Sequence, residues 1–246
     1  MLVRGVYENL ISRNDPLAEG ALPPIFDREH FIKYVSRRYF RASVEAVNRL
    51  FQFLNDPRTY ADGKAPADLE LFIKVQCLVR LMFADLAALN LSTDLHQRHR
   101  FAFSIFDKLA NLRLAFHPDR NEGEWFKAFL SIKHGQKVAG VLRRFLDDFA
   151  PLGRVLERLC LQTYADIAKP LQKVIDQIPA GRPRPSSQEM LRTLRNLEHG
   201  TMLSKGVPFE DMFYQSDIEV PTGVLYLPLF FVLAFCFDPL TTIGVK

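Results

Sequence analysis

The chain has 246 residues, of which 48% are hydrophobic and 24% charged, with 12 Gly, 15 Pro, 3 Cys and 21 Phe. That composition excludes collagen-like, low-complexity and disordered chains, and the length suits one large domain or two small ones with a real core. A formal net charge of +4 permits a nucleic-acid or acidic partner without demanding one.

Residues 1–26 read as irregular, because Gly5, Pro16, Gly20, Pro23 and Pro24 punctuate them. Asp27 is a candidate N-cap for a long helix over 28–54. Phe31, Val35, Tyr39, Val44, Val47, Leu50, Phe51 and Leu54 recur there at the helical period, with Arg37, Arg38, Arg41 and Arg49 on the other face. A loop follows at 55–66. Helices are expected over 68–89, rich in Leu, Val, Phe and Ala, and over 93–116, stopped by Pro118. A shorter helix over 123–133 ends at His134-Gly135, read as a basic last turn and a C′ glycine. Residues 136–149 form the next helix and 152–178 another, with Pro170 as a kink or break. The stretch 179–187 is Pro-rich and reads as a linker. An amphipathic helix over 187–204, a loop over 205–223 and a very apolar helix over Val224–Phe237 complete the chain.

No run alternates like a strand and no repeat of 20–50 residues appears. The expected fold is all-α: a bundle of six to eight helices closed by a buried, apolar C-terminal helix. Residues 1–246 are expected to form one helical domain, with 179–187 as the alternative subdomain boundary. The run Val224–Phe237 is shorter than the ~20 residues a spanning helix needs, so no membrane span is expected. The first residues lack the apolar core of a signal peptide. Cys77, Cys160 and Cys236 lie far apart in apolar runs, which reads as buried free thiols in a reducing, cytoplasmic setting.

The phosphate-binding, dinucleotide, zinc-protease and nucleophile-elbow motifs are all absent. His96 and His99 have a spacing that would suit a metal, but Arg98 and Arg100 beside them favour a solvated basic face. Asp147-Asp148 reads as an exposed acidic turn. No cofactor or metal is expected.

The strongest chemical signal lies in SSQEMLRTLRNLEHG, residues 186–200. Ser186 or Ser187 can cap the helix, and Glu189 stands where a capping box requires it. At about 100° per residue, Arg192, Arg195, Asn196 and His199 share one side, opposite Met190, Leu191, Leu194 and Leu197. A neutral imidazole can take the proton of a ribose 2′-OH, and a guanidinium can stabilise the charge that develops on the attacked phosphate. At these residues the chain resembles the HEPN family of helical-bundle proteins, whose mark is an Arg and a His with four to six residues between them, often with Asn after the Arg and Gly after the His. Arg195 and His199 are separated by three residues and Arg192 and His199 by six, so the second spacing fits the mark. The resemblance implies a metal-independent endoribonuclease, or a derived RNA-associated protein of toxin or phage-defence systems, with a site formed across a homodimer. His199, Arg195, Arg192 and Asn196 are its implied catalytic residues.

LRLAFHPDRNEG, residues 112–123, resembles the helix end and His-Pro-Asp loop of J-domains through Leu112, Leu114, Phe116, His117, Pro118, Asp119, Arg120 and Asn121. That likeness implies a chaperone link. The plain reading is a helix stop in which Asp119 caps the next helix. Arginines of 28–54, with Arg182 and Arg184, suit a phosphate backbone, and Tyr34, Tyr39, Phe40 and Trp125 are the aromatics available to stack on bases. The alternative to an RNase, from a different class, is a non-catalytic helical interaction or scaffold subunit with a partner protein.

Overall fold

Short-range capping chemistry and the 3.6-residue apolar period set the elements. The computed structural model describes residues 28–57, 69–118, 121–145, 150–198 and 220–245. Among these, the helices are α1 (Arg28–Asn55), α2 (Leu69–Leu91), α3 (Leu95–Phe116), α4 (Glu122–Phe129), α5 (Ile132–Phe145), α6 (Ala150–Asp176), α7 (Ser187–Glu198), α8 (Gly223–Phe237) and α9 (Pro239–Thr242). The described residues hold no strand, and the fold is an all-α bundle, as the sequence leads one to expect. The candidate cap Asp27, the Asp147-Asp148 pair and most of the 205–223 loop lie outside the described residues.

The helix ends follow from a few side chains. Asp94 Oδ1 accepts from the Gln97 amide at 2.7 Å, which starts α3 at Leu95. The His117 amide donates to the Arg113 carbonyl and closes α3, with Pro118 next in the chain. Asn121 Oδ1 accepts from the Glu124 amide at 2.9 Å, so Asn121 caps α4. Asp119, the expected cap, lies outside the described residues.

The boundary between α4 and α5 falls earlier than expected. Ser131 Oγ accepts from the His134 amide at 3.3 Å, and α5 begins at Ile132. His134 and Gly135 therefore sit inside α5 and do not end α4. Gly135 is there for space: a Cβ on it would lie 2.6 Å from Cε2 of Tyr164. This contact brings α5 close to α6, and the Tyr164 hydroxyl, buried with its ring, donates to the Phe129 carbonyl at 2.7 Å. Helix α6 runs unbroken past Pro170, with Ile167 one turn before it and Leu171 next to it both buried. That packing offsets the lost backbone bond.

Helix α8 touches α1, α3, α5 and α6. Val224, Leu227, Phe231, Val232, Ala234 and Phe235 on it are buried. Phe231 meets Phe106 edge-on at 5.1 Å and lies against the ring of His134 at 5.8 Å, while Phe235 meets Phe53 edge-on at 5.7 Å. Edge-on aromatic pairs of this kind add roughly 0.5–1.5 kcal/mol each beyond the area they bury. His134 donates through Nε2 to the Thr242 carbonyl at 2.7 Å and ties α5 to α9.

Two expectations change. The apolar period of α1 marks two faces. Ala42, Ala46, Leu50 and Phe53 enter the core, whereas Phe40, Val44, Val47 and Phe51 are exposed. The thiols also differ: Cys160 is buried and Cys236 half-buried, with pKa values pushed up to about 12 by burial, but Cys77 is exposed. Among the described residues no helix is long and apolar enough to cross a membrane.

Candidate functional site

Helix α7 carries the residues that the sequence singles out. Its start is a reciprocal capping box. The Glu189 amide donates to Ser186 Oγ at 3.2 Å, and Glu189 Oε2 accepts from the Ser186 amide at 2.8 Å. The Ser186 bonds hold the Glu189 carboxyl below its ordinary pKa. Met190, Leu191, Thr193 and Leu194 are buried and seat the helix on its neighbours. Helix α7 rests on α3, α4 and α6.

The polar residues of α7 do not share one environment. Arg192 is exposed and lies over Gly123, where a Cβ would come within 3.1 Å of its guanidinium carbon. Arg195 turns inward. Its Nη1 lies 2.7 Å from Asp107 Oδ1 and 3.7 Å from Glu122 Oε1. Its guanidinium stands 4.8 Å over the Phe126 ring, and its Nε donates to Asn196 Oδ1 at 3.2 Å. Burial, followed by the Glu122 charge and opposed by Arg195, lifts the Asp107 pKa to about 6. The structure thus joins Arg195 and Asn196 to Asp107 and Glu122, leaves Arg192 facing solvent, and does not describe His199.

The end of α7 meets the start of α3. Arg100 Nε donates to the Glu198 carbonyl, one of the carbonyls a helix end leaves open. Glu198 Oε1 lies 3.4 Å from His96 Nδ1 and 4.0 Å from His99 Nδ1. The HxxH segment is therefore not a uniformly solvated basic face. His96 is exposed, but His99 is buried, its pKa lowered first by that burial, and its Nε2 has no hydrogen-bond partner among the described residues. No group of three or more His, Cys, Asp or Glu among the described residues is arranged to hold a metal ion. Asp107, Glu122 and Glu198 escaped the sequence reading because their partners are 73 to 102 residues away, beyond any local spacing rule.

Of the aromatics considered for stacking on bases, Trp125 is buried under the Arg113 guanidinium at 4.5 Å and Phe40 is exposed. The side chains of Tyr34 and Tyr39 lie outside the described residues. Arg184 donates to the Ile178 carbonyl at 3.3 Å, inside the linker itself. His117 forms the C-cap of α3.

A second surface belongs to α2. Its inner face, Leu71, Val75, Val79, Met82 and Leu89, is buried. On its outer face, Leu69, Ile73, Cys77, Ala84, Ala87 and Leu91 are all exposed. At about 100° per residue these six fall within roughly 40° of one line. Leu69 is 71% exposed, Ile73 53% and Leu91 82%. The outer stripe of α1, Phe40, Val44, Val47 and Phe51, repeats at 4, 3 and 4 residues, the spacing of a helix–helix seam. A helix apolar on two faces has more apolar surface than its own bundle covers.

Comparison of this chain with known protein families, with characterised proteins and with solved structures gives no match.

Proposed function

We propose that this chain is a non-catalytic helical interaction module, which offers the outer face of α2 to a helical partner. One observation carries the reading: the exposed apolar stripe from Leu69 to Leu91 along the whole of α2. Isolated exposed apolar residues are ordinary, whereas a contiguous patch marks an interaction surface. A photo-crosslinker at position 77, in the cells that make the protein, tests it. A discrete adduct is expected, lost on Ile73→Asp and absent when the crosslinker sits at Arg154, an exposed position on α6. Equal adducts from both positions would contradict it.

The resemblance at α7 supports a second reading, metal-independent RNA cleavage by Arg192 with His199, across a homodimer. The exposure of Arg192 favours it, as does its spacing from His199. Arg195 and Asn196 then serve the helix rather than the substrate. RNA, but not DNA, is cut in the presence of EDTA on this reading, and His199→Ala abolishes the cutting. Absence of cleavage, or cleavage stopped by chelator, counts against it.

A further inference from the structure

The outer stripe of α2 contains a single charge, Arg80, midway between Leu69 and Leu91 and in line with the apolar residues. Arg80 is exposed and makes no ion pair among the described residues. At the rim of this face Glu70 and Lys74 are both exposed, and the α1 stripe and its rim carry exposed Lys33, Arg37 and Arg41.

Resting on the docking reading above, we propose that the occupant of this stripe is an amphipathic helix that places a carboxylate against Arg80. A guanidinium surrounded by apolar contacts loses water when a partner docks, and a carboxylate replaces that water with paired, charge-assisted bonds. A second copy of the chain is disfavoured by the same residue. A two-fold seam along this face brings two arginines into one desolvated strip, where like charges repel.

Shape agrees with a helical occupant. Ala84 and Ala87 form a low stretch of the stripe, with Leu81 and Phe83 exposed to either side of them. This leaves room for large side chains of the partner, while Leu69 and Ile73 project at the other end. Close approach over small residues is a recurrent basis of helix–helix packing.

The test uses the full chain and two synthetic helical peptides of about 24 residues, with leucines at 3- and 4-residue spacing. They differ at one central position of the leucine face, Glu in one and Lys in the other. Fluorescence anisotropy measures binding to wild type, Arg80→Glu and Ile73→Asp. Both substituted residues are exposed, so circular dichroism should show folded variants.

The Glu peptide should bind wild type about tenfold more tightly than the Lys peptide, and Arg80→Glu should invert that order. Ile73→Asp should weaken both. If both peptides bind equally and ignore Arg80→Glu while Ile73→Asp still abolishes binding, the docking face stands and the carboxylate inference falls. If neither peptide binds, docking itself falls, and the carboxylate inference falls with it. A homodimer that Ile73→Asp dissociates would identify a second copy as the occupant and overturn the inference.

Discussion

Arg195 Nη1 stands 2.7 Å from Asp107 Oδ1, joining residues 88 positions apart and fastening α7 to α3. Both side chains are about four-fifths buried. Removing one partner strands the other charge, so Arg195→Ala should destabilise the fold by about 2 kcal/mol, less than a fully buried pair because some solvent remains. Arg192→Ala, on the exposed side of the same helix, should change stability by less than about 0.5 kcal/mol. Urea unfolding of the two variants makes the comparison. Equal effects would remove the distinction between the two arginines.

Stability against pH should carry opposed contributions from Asp107 and His134. The Asp107 pKa is raised from 3.8 to about 6. Its contribution is therefore full below about 4 and is lost as pH rises through 6. The His134 pKa is lowered from 6.5 to about 4, first by burial. Its contribution is full above 6.5 and is lost as pH falls through 4. Because the two oppose each other between pH 4 and 6, each needs its own variant. The stability advantage of wild type over His134→Gln should shrink as pH drops from 6.5 to 4. Asp107→Asn should lack the decline between pH 4 and 6. A wild-type-minus-variant difference that stays constant with pH would contradict the assignment for that residue.

Phe231 is fully buried among Phe106, Phe129 and His134. Phe231→Ala should cost about 4 kcal/mol through lost burial and the cavity left behind. Phe231→Asp should unfold or aggregate the chain, because it puts a carboxylate into a fully buried, largely aromatic site. A folded, soluble Phe231→Asp variant on circular dichroism and size-exclusion chromatography would refute the central place of α8.

Gly135→Ala tests the approach of α5 to α6. A Cβ there meets the Tyr164 ring at 2.6 Å, and the ring is held by its hydroxyl bond to Phe129. The variant should lose about 2 kcal/mol by overpacking, although alanine is the better helix former. Thermal unfolding at a higher temperature than wild type would mean that the ring yields freely.

The helices were legible because their signals are local. Apolar periods, the Ser186–Glu189 box and Pro118 all act within a few residues. The misplaced boundary at His134-Gly135 arose because a glycine after a basic residue imitates a helix end, whereas this glycine answers to Tyr164 in a different helix. The inward turn of Arg195 was not legible either. Helical geometry put it on the polar face, but Asp107 and Glu122 come from α3 and α4, and only tertiary packing brings them there. The same limit applies to α1 and α2, where apolar content was plain but which apolar face stayed outside depended on how many neighbours the bundle supplied.

The reactivity of Cys77 toward a water-soluble thiol reagent reports whether the outer face of α2 is open for docking. The thiol lies in the middle of the α2 stripe and is exposed, while Cys160 is buried and Cys236 half-buried. In the folded monomer one thiol should react rapidly, and peptide mapping should identify it as Cys77. The acidic helical peptide that binds the stripe should slow that reaction and leave the other two unchanged. Slow reaction of Cys77, matching Cys160 in the folded monomer without peptide, would show the face already covered and contradict the account.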